Sequence, residues 1–404
     1  MRLITMRWRA IAPLLAGLLL GGAVLSGCNK AHQDQAQQQD SRAMSRVMGT
    51  ASEGYAKVEP GAALQFPKDH LPHPRFRQEW WYLTANLTTQ SGEPLGLQWT
   101  QFRIALSPDE PESSSPWATN QLYMAHSALS FQNSHQSAER WARGALAAPQ
   151  GKAAHPQGAQ DKTQAVTQEG TQAGAMGLPL RVWLDNWRWQ SQAASGPNSG
   201  LFPASLQVSE EDFAFELQLD SQAELQIQGD KGFSRKNAAG TVASYYYSQP
   251  FIRVEGRVRH KEQWLQVSGN AWLDREWSSE FLSRGQQGWD WFALRLDDGS
   301  ALMLFQLREQ ENKAFFSGKR MYPDGSGHPL ALDDISLNVK DWQQTASGRY
   351  PVAWQLELPG ESLSLTLEAL NPNAAMNLSI PYWEGPITIK GTQTGVGYME
   401  LTGY

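Results

Sequence analysis

The sequence predicts an all-β protein made of two related antiparallel units. Three observations lead there. Short runs in which apolar and polar residues alternate (98–106, 213–228, 301–307, 354–367) are separated by Gly, Pro, Asn and Asp. Beyond the N-terminal segment, no stretch sustains the 3.6-residue period of an amphipathic helix. The run 79–87 also recurs as 288–296. Each copy is followed by a Gly turn and then by Gln101-Phe102-Arg103 or Gln306-Leu307-Arg308. Residues 269–274 align with 395–400 in the same way, so Asp274 falls opposite Glu400. Two repeats are too few for a propeller or solenoid, which leaves two barrels or sandwiches packed together.

In chain order, Arg2, Arg7 and Arg9 form a positive start, and an apolar run follows over 11–24. Leu25-Ser26-Gly27-Cys28 then resembles a bacterial lipobox, in which Cys28 becomes the diacylated N-terminus after 1–27 is removed. Cys28 is the only cysteine, so an internal disulfide, a CxxC redox pair and a thiolate zinc site are excluded. Asn29, where an Asp would signal retention, points to a lipid-anchored protein of the bacterial cell envelope, on the outer membrane and facing the periplasm. Residues 28–61 are rich in Gln, Ala and Ser and read as a flexible tether. An N-terminal domain over 62–285 carries a low-complexity insertion at 142–177, and a C-terminal domain covers 286–404.

The 404 residues hold 34 Lys+Arg against 40 Asp+Glu, a net charge of −6, which offers nucleic acid no basic patch. Seventeen Trp among them call for large apolar pockets or aromatic-rich sheets. There is no GxSxG elbow, HExxH helix, Walker loop or GxGxxG turn, so serine hydrolase, zinc protease and nucleotide chemistry lack support.

Carboxylates carry the chemical argument. Read as a strand, 288–296 puts Asp290 on the face of Phe292, Leu294 and Leu296, opposite Trp289, Trp291 and Arg295. A carboxyl on an apolar face keeps its proton to higher pH, as a general acid near neutrality must. Glu79 likewise shares a face with Trp81, Leu83, Ala85 and Leu87. On 272–277 the alternation groups Trp272, Asp274 and Glu276 against Leu273, Arg275 and Trp277. That carboxylate pair can share a proton, or be neutralised by Arg103 or Arg308 inside a barrel. His126 sits with Met124 and Ala128 as a catalytic or core histidine. His70 and His73 have a spacing a metal could use, but their loop is broken by prolines and no third ligand is near, so no metal is expected. The aromatic clusters at Trp80-Trp81-Tyr82, Tyr245-Tyr246-Tyr247 and Trp289/Trp291 are candidates to line an apolar pocket.

Several longer motifs carry a family resemblance: Phe66-Pro67-Lys68-Asp69-His70, Glu79-Trp80-Trp81-Tyr82, Met124-Ala125-His126, Ser244-Tyr245-Tyr246-Tyr247-Ser248, Trp272-Leu273-Asp274-Arg275-Glu276-Trp277, Gly288-Trp289-Asp290-Trp291-Phe292 and Tyr382-Trp383-Glu384-Gly385. Together they resemble the AttH-like branch of the carotenoid 1,2-hydratase (hydroxyneurosporene synthase) family, whose members often carry the label "predicted secreted hydrolase". Ala85, where the family pattern has Gly, and the insertion at 142–177 depart from it.

The resemblance implies two lipocalin-like barrels with an apolar ligand site at or between them, and association with an ABC transporter permease of the lipoprotein-release type. Addition of water across an isolated double bond is the implied chemistry. Asp290, Asp274, Glu276 and His126 are its candidate catalytic residues, and Glu79, Trp81, Tyr82, Arg103, Tyr246, Trp272, Trp289 and Trp291 its candidate ligand contacts. The expected partners are an apolar small molecule or lipid and the membrane through lipidated Cys28, with no cofactor. A non-catalytic carrier or transporter subunit is the competing class, because the same barrels serve both.

Overall fold

The computed structural model describes residues 52–112, 118–144, 173–310 and 313–404. Cys28, the segment 1–27, most of the tether and 145–172 of the insertion lie outside the described residues.

Alternating sequence becomes strand throughout. The first sheet opens with β1 (Gln78–Thr89), β2 (Pro94–Ala105), β3 (Gln121–Phe131) and β4 (Ser134–Arg143). Five shorter strands follow: β5 (Ala173–Met176), β6 (Arg181–Leu184), β7 (Trp187–Ser191), β8 (Ala204–Ser209) and β9 (Phe213–Asp220). The sheet ends with β10 (Gln226–Ile227), β11 (Phe233–Arg235), β12 (Ala243–His260) and β13 (Gln263–Ser278). The second sheet begins with β14 (Gln286–Leu296), β15 (Ala301–Glu309), β16 (Ala314–Met321) and β17 (Gly327–Pro329). It continues through β18 (Ser336–Gln344), β19 (Arg349–Leu358), β20 (Leu363–Ala369), β21 (Ala375–Met376), β22 (Tyr382–Gly391) and β23 (Gly395–Leu401).

The first sheet runs β4-β3-β2-β1-β13-β12-β9-β8-β7-β6-β5. A Gly144–Ala173 bridge brings its two ends together into a nearly closed barrel. The second, β17-β16-β15-β14-β23-β22-β20-β19-β18, is a half-barrel. Two regions depart from the sequence reading at their ends. Ala173–Met176, inside the expected insertion, is strand, with Ala173 fully buried. Tyr55, in the expected tether, donates to Ala105 O at 2.8 Å, and Ser279 Oγ donates to Ala56 O at 2.6 Å, so the tether's last residues are fastened to the barrel.

The internal repeat is structural. β1 pairs β13 with Asn86 opposite Asn270, and β14 pairs β23 with Arg295 opposite Val396, so Tyr82↔Asp274 and Trp291↔Glu400 are equivalent pairs. Gly269 and Gly395, aligned in the sequence, serve one purpose. A Cβ at Gly269 would lie 2.2 Å from Asn86 O, and one at Gly395 2.1 Å from Arg295 O, so neither strand crossing admits a side chain.

Each barrel buries one face of these strands. Trp81, Leu83, Ala85, Leu87, Leu273 and Trp277 enter the first core, and Phe292, Leu294, Leu296 and Met399 the second. The opposite faces meet between the barrels in a third cluster that includes Tyr82, Tyr246, Trp272, Trp291, Ala293 and Tyr398. The period-2 pleat therefore sends these side chains alternately into a barrel core and the junction.

Candidate functional site

A pocket opens in that junction, with ≈ 900 Å³ of atom-free space including its mouth. Trp80, Tyr82, Phe102, Phe281, Trp289, Trp291, Phe305, Leu307 and Ile380 give it apolar walls, and Asp274, Glu276, Glu400, Lys236, His126 and Tyr382 face it among them. An aromatic cleft with a few converging polar groups is the usual form of a small-molecule site.

Asp274 is fully buried and, among the described residues, forms no ion pair. Tyr246 Oη donates to its Oδ2 at 2.5 Å, and Ser248 Oγ (2.5 Å) and Trp272 Nε1 (2.7 Å) donate to its Oδ1. Burial outweighs those three bonds and, with the charge of Glu276, pushes its carboxyl up to about 7. Glu276, two residues along the same face, is different: Lys236 Nζ approaches its Oε1 at 2.5 Å, and Ser244 Oγ hydrogen-bonds it as well. Lys236 also lies over the rings of Phe305 (4.4 Å) and Tyr246 (5.3 Å). Across the pocket, Glu400 is deep in the molecule yet keeps part of its surface bare to the cavity. Burial, reinforced by Asp274 and Glu276, pushes it up to about 8 against a 3.1 Å bond from Trp289 Nε1. Behind it, Glu384 accepts from Tyr82 Oη at 2.6 Å and lies beside the Tyr382 hydroxyl; burial and then Glu400 hold it well above the usual carboxyl range.

His126 bridges Tyr382 Oη (Nδ1, 3.0 Å) and Glu139 Oε2 (Nε2, 3.1 Å). Burial lowers its pKa despite the Glu139 charge, so it stands as a neutral imidazole that donates to Glu139 and accepts from Tyr382.

The structure separates the expected residues into two groups. Asp274, Glu276, His126, Tyr82, Tyr246, Trp289 and Trp291 line the pocket, and Trp272 orients Asp274. Asp290, Glu79, Trp81 and Arg103 do not. Asp290 does share a face with Phe292 and Leu294, but that face is a barrel core. There Arg308 Nη1 and Tyr404 Oη (2.8 Å) donate to its Oδ1, and Gln306 Nε2 (2.5 Å) to its Oδ2. Bonded to Arg308 inside a barrel core, Asp290 does not reach a ligand in the pocket, so it is corrected to a structural acid. Glu79 is its counterpart in the first barrel, held by Arg103 Nε, by Arg275 Nη2 at 2.9 Å and by His73 Nδ1 at 3.1 Å. Burial works to raise Glu79, but Arg103, His73 and Arg275 outweigh it and hold it well below the ordinary range. Trp81 lies under Arg275, 4.0 Å from its guanidinium carbon, inside the same barrel. Arg103 and Arg308 are thus committed to Glu79 and Asp290, so neither neutralises Asp274 or Glu276. Among the described residues, no three His, Cys, Asp or Glu are grouped to hold a metal.

Sequence reasoning missed Lys236, Glu400, Glu384 and Tyr382. The repeat carried a signal for Glu400, since it aligns with Asp274. Tyr382 and Glu384 lay in a motif already singled out. Lys236 follows β11 in a short connection without periodicity, and nothing local marks it.

The raised acids make stability pH-dependent. Folded Asp274 keeps its proton above the unfolded value of 3.8, so its contribution is complete below that pH and lost as pH rises to about 7; Glu400 extends the loss from 4.5 to about 8. Urea midpoints should therefore carry a falling component between pH 4 and 8 that an Asp274→Asn, Glu400→Gln double variant lacks. A fall of equal size in that variant would contradict the assignment.

A nearly closed barrel joined face to face with a half-barrel, with an acid-bearing aromatic pocket at the junction, defines a lipocalin-like two-domain protein. The AttH-like family matches residues 57–404, so the chain belongs to that family. A crystal structure of an AttH-type protein from Nitrosomonas europaea superposes with a TM-score of 0.70 at 32% identity, covering 86% of this chain and 99% of the other. Kievitone hydratase from Nectria haematococca shares the fold, with a TM-score of 0.60 at 14% identity over 87% of this chain and 96% of its own. No curated protein matches by sequence.

Proposed function

We propose that the chain is a hydro-lyase that adds water to an isolated double bond of an apolar small molecule held between the barrels. The observation that carries this reading is Asp274: a cation-free acid, pushed up to about 7, facing an aromatic pocket beside a second carboxylate that is ion-paired. Protonating an alkene carbon needs an acid that still holds its proton near neutrality, and capturing the cation needs a base for water. Protonated Asp274 delivers its proton to one alkene carbon, and the electron pair of the double bond forms the new C–H bond. Positive charge on the other carbon faces Trp289 and Trp291, whose rings stabilise it. Water attacks that carbon and gives a proton to Glu276, which Lys236 pairs. The proton returns to Asp274 by way of Tyr246 Oη, which donates to Asp274 and lies opposite Glu276 in register. The balance is one water added and no net proton. The hydratase named among the structural neighbours agrees with this reading, and membership of the AttH-like family is compatible with it.

A hydrolase needs an activated nucleophile. The Ser130 Oγ···His135 Nδ1 contact (2.7 Å) lies outside the pocket lining, and His135 Nε2 has no partner to orient it. The test is incubation with a panel of apolar alkenes and mass analysis of the products. Gain of one water by at least one alkene is expected. Retention of the panel without addition would move the carrier reading ahead.

The lipid anchor and envelope location read from Cys28 belong to the same proposal, as does an ABC permease as the neighbour that hands over or removes an apolar ligand. In fractionated cells the wild type should sediment with membranes and Cys28→Ser should stay in the soluble fraction. Equal distribution of the two would refute the anchor.

A further inference from the structure

The junction holds a second, smaller opening lined by Thr84, Asn86, Asn270, Trp272, Ala293 and Arg295 among others. Arg295 is its unusual member. Among the described residues this partly buried guanidinium has no carboxylate partner; its polar contact is Nη1 to Pro250 O, and it lies 5.3 Å over the Phe251 ring. Burial alone lowers its pKa, to about 10, with no anion opposing. Arg103, Arg275 and Arg308 each carry an acid, and Arg295 does not. Around it, the Asn270 amide and Thr84 hydroxyl make no side-chain hydrogen bond among the described residues, whereas Asn86 Nδ2 donates to Gly397 O at 2.9 Å. A desolvated cation with free N–H donors, beside an amide and a hydroxyl, is the chemistry that binds an oxyanion.

We infer that this opening is a binding site for a carboxylate or phosphate group, with Arg295 as its principal donor. The pleat links it to the larger pocket. Along one face, β1 presents Tyr82, Thr84 and Asn86, β13 presents Asp274, Trp272 and Asn270, and β14 presents Trp291, Ala293 and Arg295. Four residues of strand separate Asp274 from Asn270 and Trp291 from Arg295, about 13 Å. A ligand with an apolar body and an acid end would span that distance with its acid at Arg295 and its double bond at Asp274, passing the edge-packed Trp272 and Trp291 rings that stand between the two openings. That long-ligand form rests on the proposed function; a free small oxyanion in the same site does not.

Binding is measured by calorimetry on the full chain carrying Cys28→Ser, with dodecanoate, dodecanol and inorganic phosphate as probes. If the acid end of a long ligand is the occupant, dodecanoate binds about tenfold or more tighter than dodecanol, and Arg295→Gln erases the difference. If a free oxyanion is the occupant, phosphate binds, Arg295→Gln abolishes that binding, and acid and alcohol bind alike. Arg295→Lys keeps the charge and retains part of the effect, which separates lost recognition from lost folding. An acid preference or phosphate affinity unchanged by Arg295→Gln, or neither effect in the wild type, overturns the site. These readouts are of binding, so they fail independently of hydration.

Discussion

Asp274→Asn should lower hydration turnover by about 10²- to 10⁴-fold, the range for a lost general acid, while the two barrels stay folded. The asparagine carbonyl still accepts from Ser248 and Trp272, and its amide N–H donates to Tyr246 Oη where the carboxyl accepted, so the side chain stays held while the transferable proton is lost. The wild type adds a pH signature. Protonated Asp274 is the active form, so turnover falls as pH rises through about 7. The residual rate of Asp274→Asn should lack that limb. Turnover within threefold of wild type, or the same limb in the variant, would remove Asp274 from the acid role.

The largest effect on stability should come from Glu79→Ala. It leaves Arg103 and Arg275, 1% and 0% exposed, facing one another in a barrel core without their shared anion. Removing one partner of such a buried group typically costs about 3–5 kcal/mol, because the remaining charges have neither water nor a counter-ion. Urea unfolding of Glu79→Ala against wild type measures this. Asp290→Asn offers the same contrast in milder form, since Arg308 is partly exposed and keeps Tyr404 beside it. Asp290→Asn should weaken the second barrel and leave the pocket's acids in place. A loss below about 1 kcal/mol for Glu79→Ala would show that the arginines find other partners.

These two predictions mark where the sequence was legible. The strand pleat was readable from alternation alone: Trp272, Asp274 and Glu276 do face one way, and Leu273, Arg275 and Trp277 the other. The repeat anticipated two barrels, and its glycines at 269 and 395 stand at equivalent strand crossings. What alternation cannot tell is which face is a barrel interior and which is a junction, because both are apolar. Asp290 and Glu79 drew attention through their apolar companions, and those companions proved to be cores supplied with arginine. The same ambiguity misplaced Trp81, whose neighbours Trp80 and Tyr82 point the opposite way into the pocket. Lys236 and Glu384 reach the site by pairings far apart in the chain, which no local pattern encodes.

The most direct test of the central claim follows the proton. Hydration of a responsive alkene in deuterated water should place one non-exchangeable deuterium on carbon for every water added, with the hydroxyl on the adjacent carbon. A hydrated product without carbon-bound deuterium, or alkenes that bind and leave unchanged, would contradict an acid that protonates carbon in this pocket.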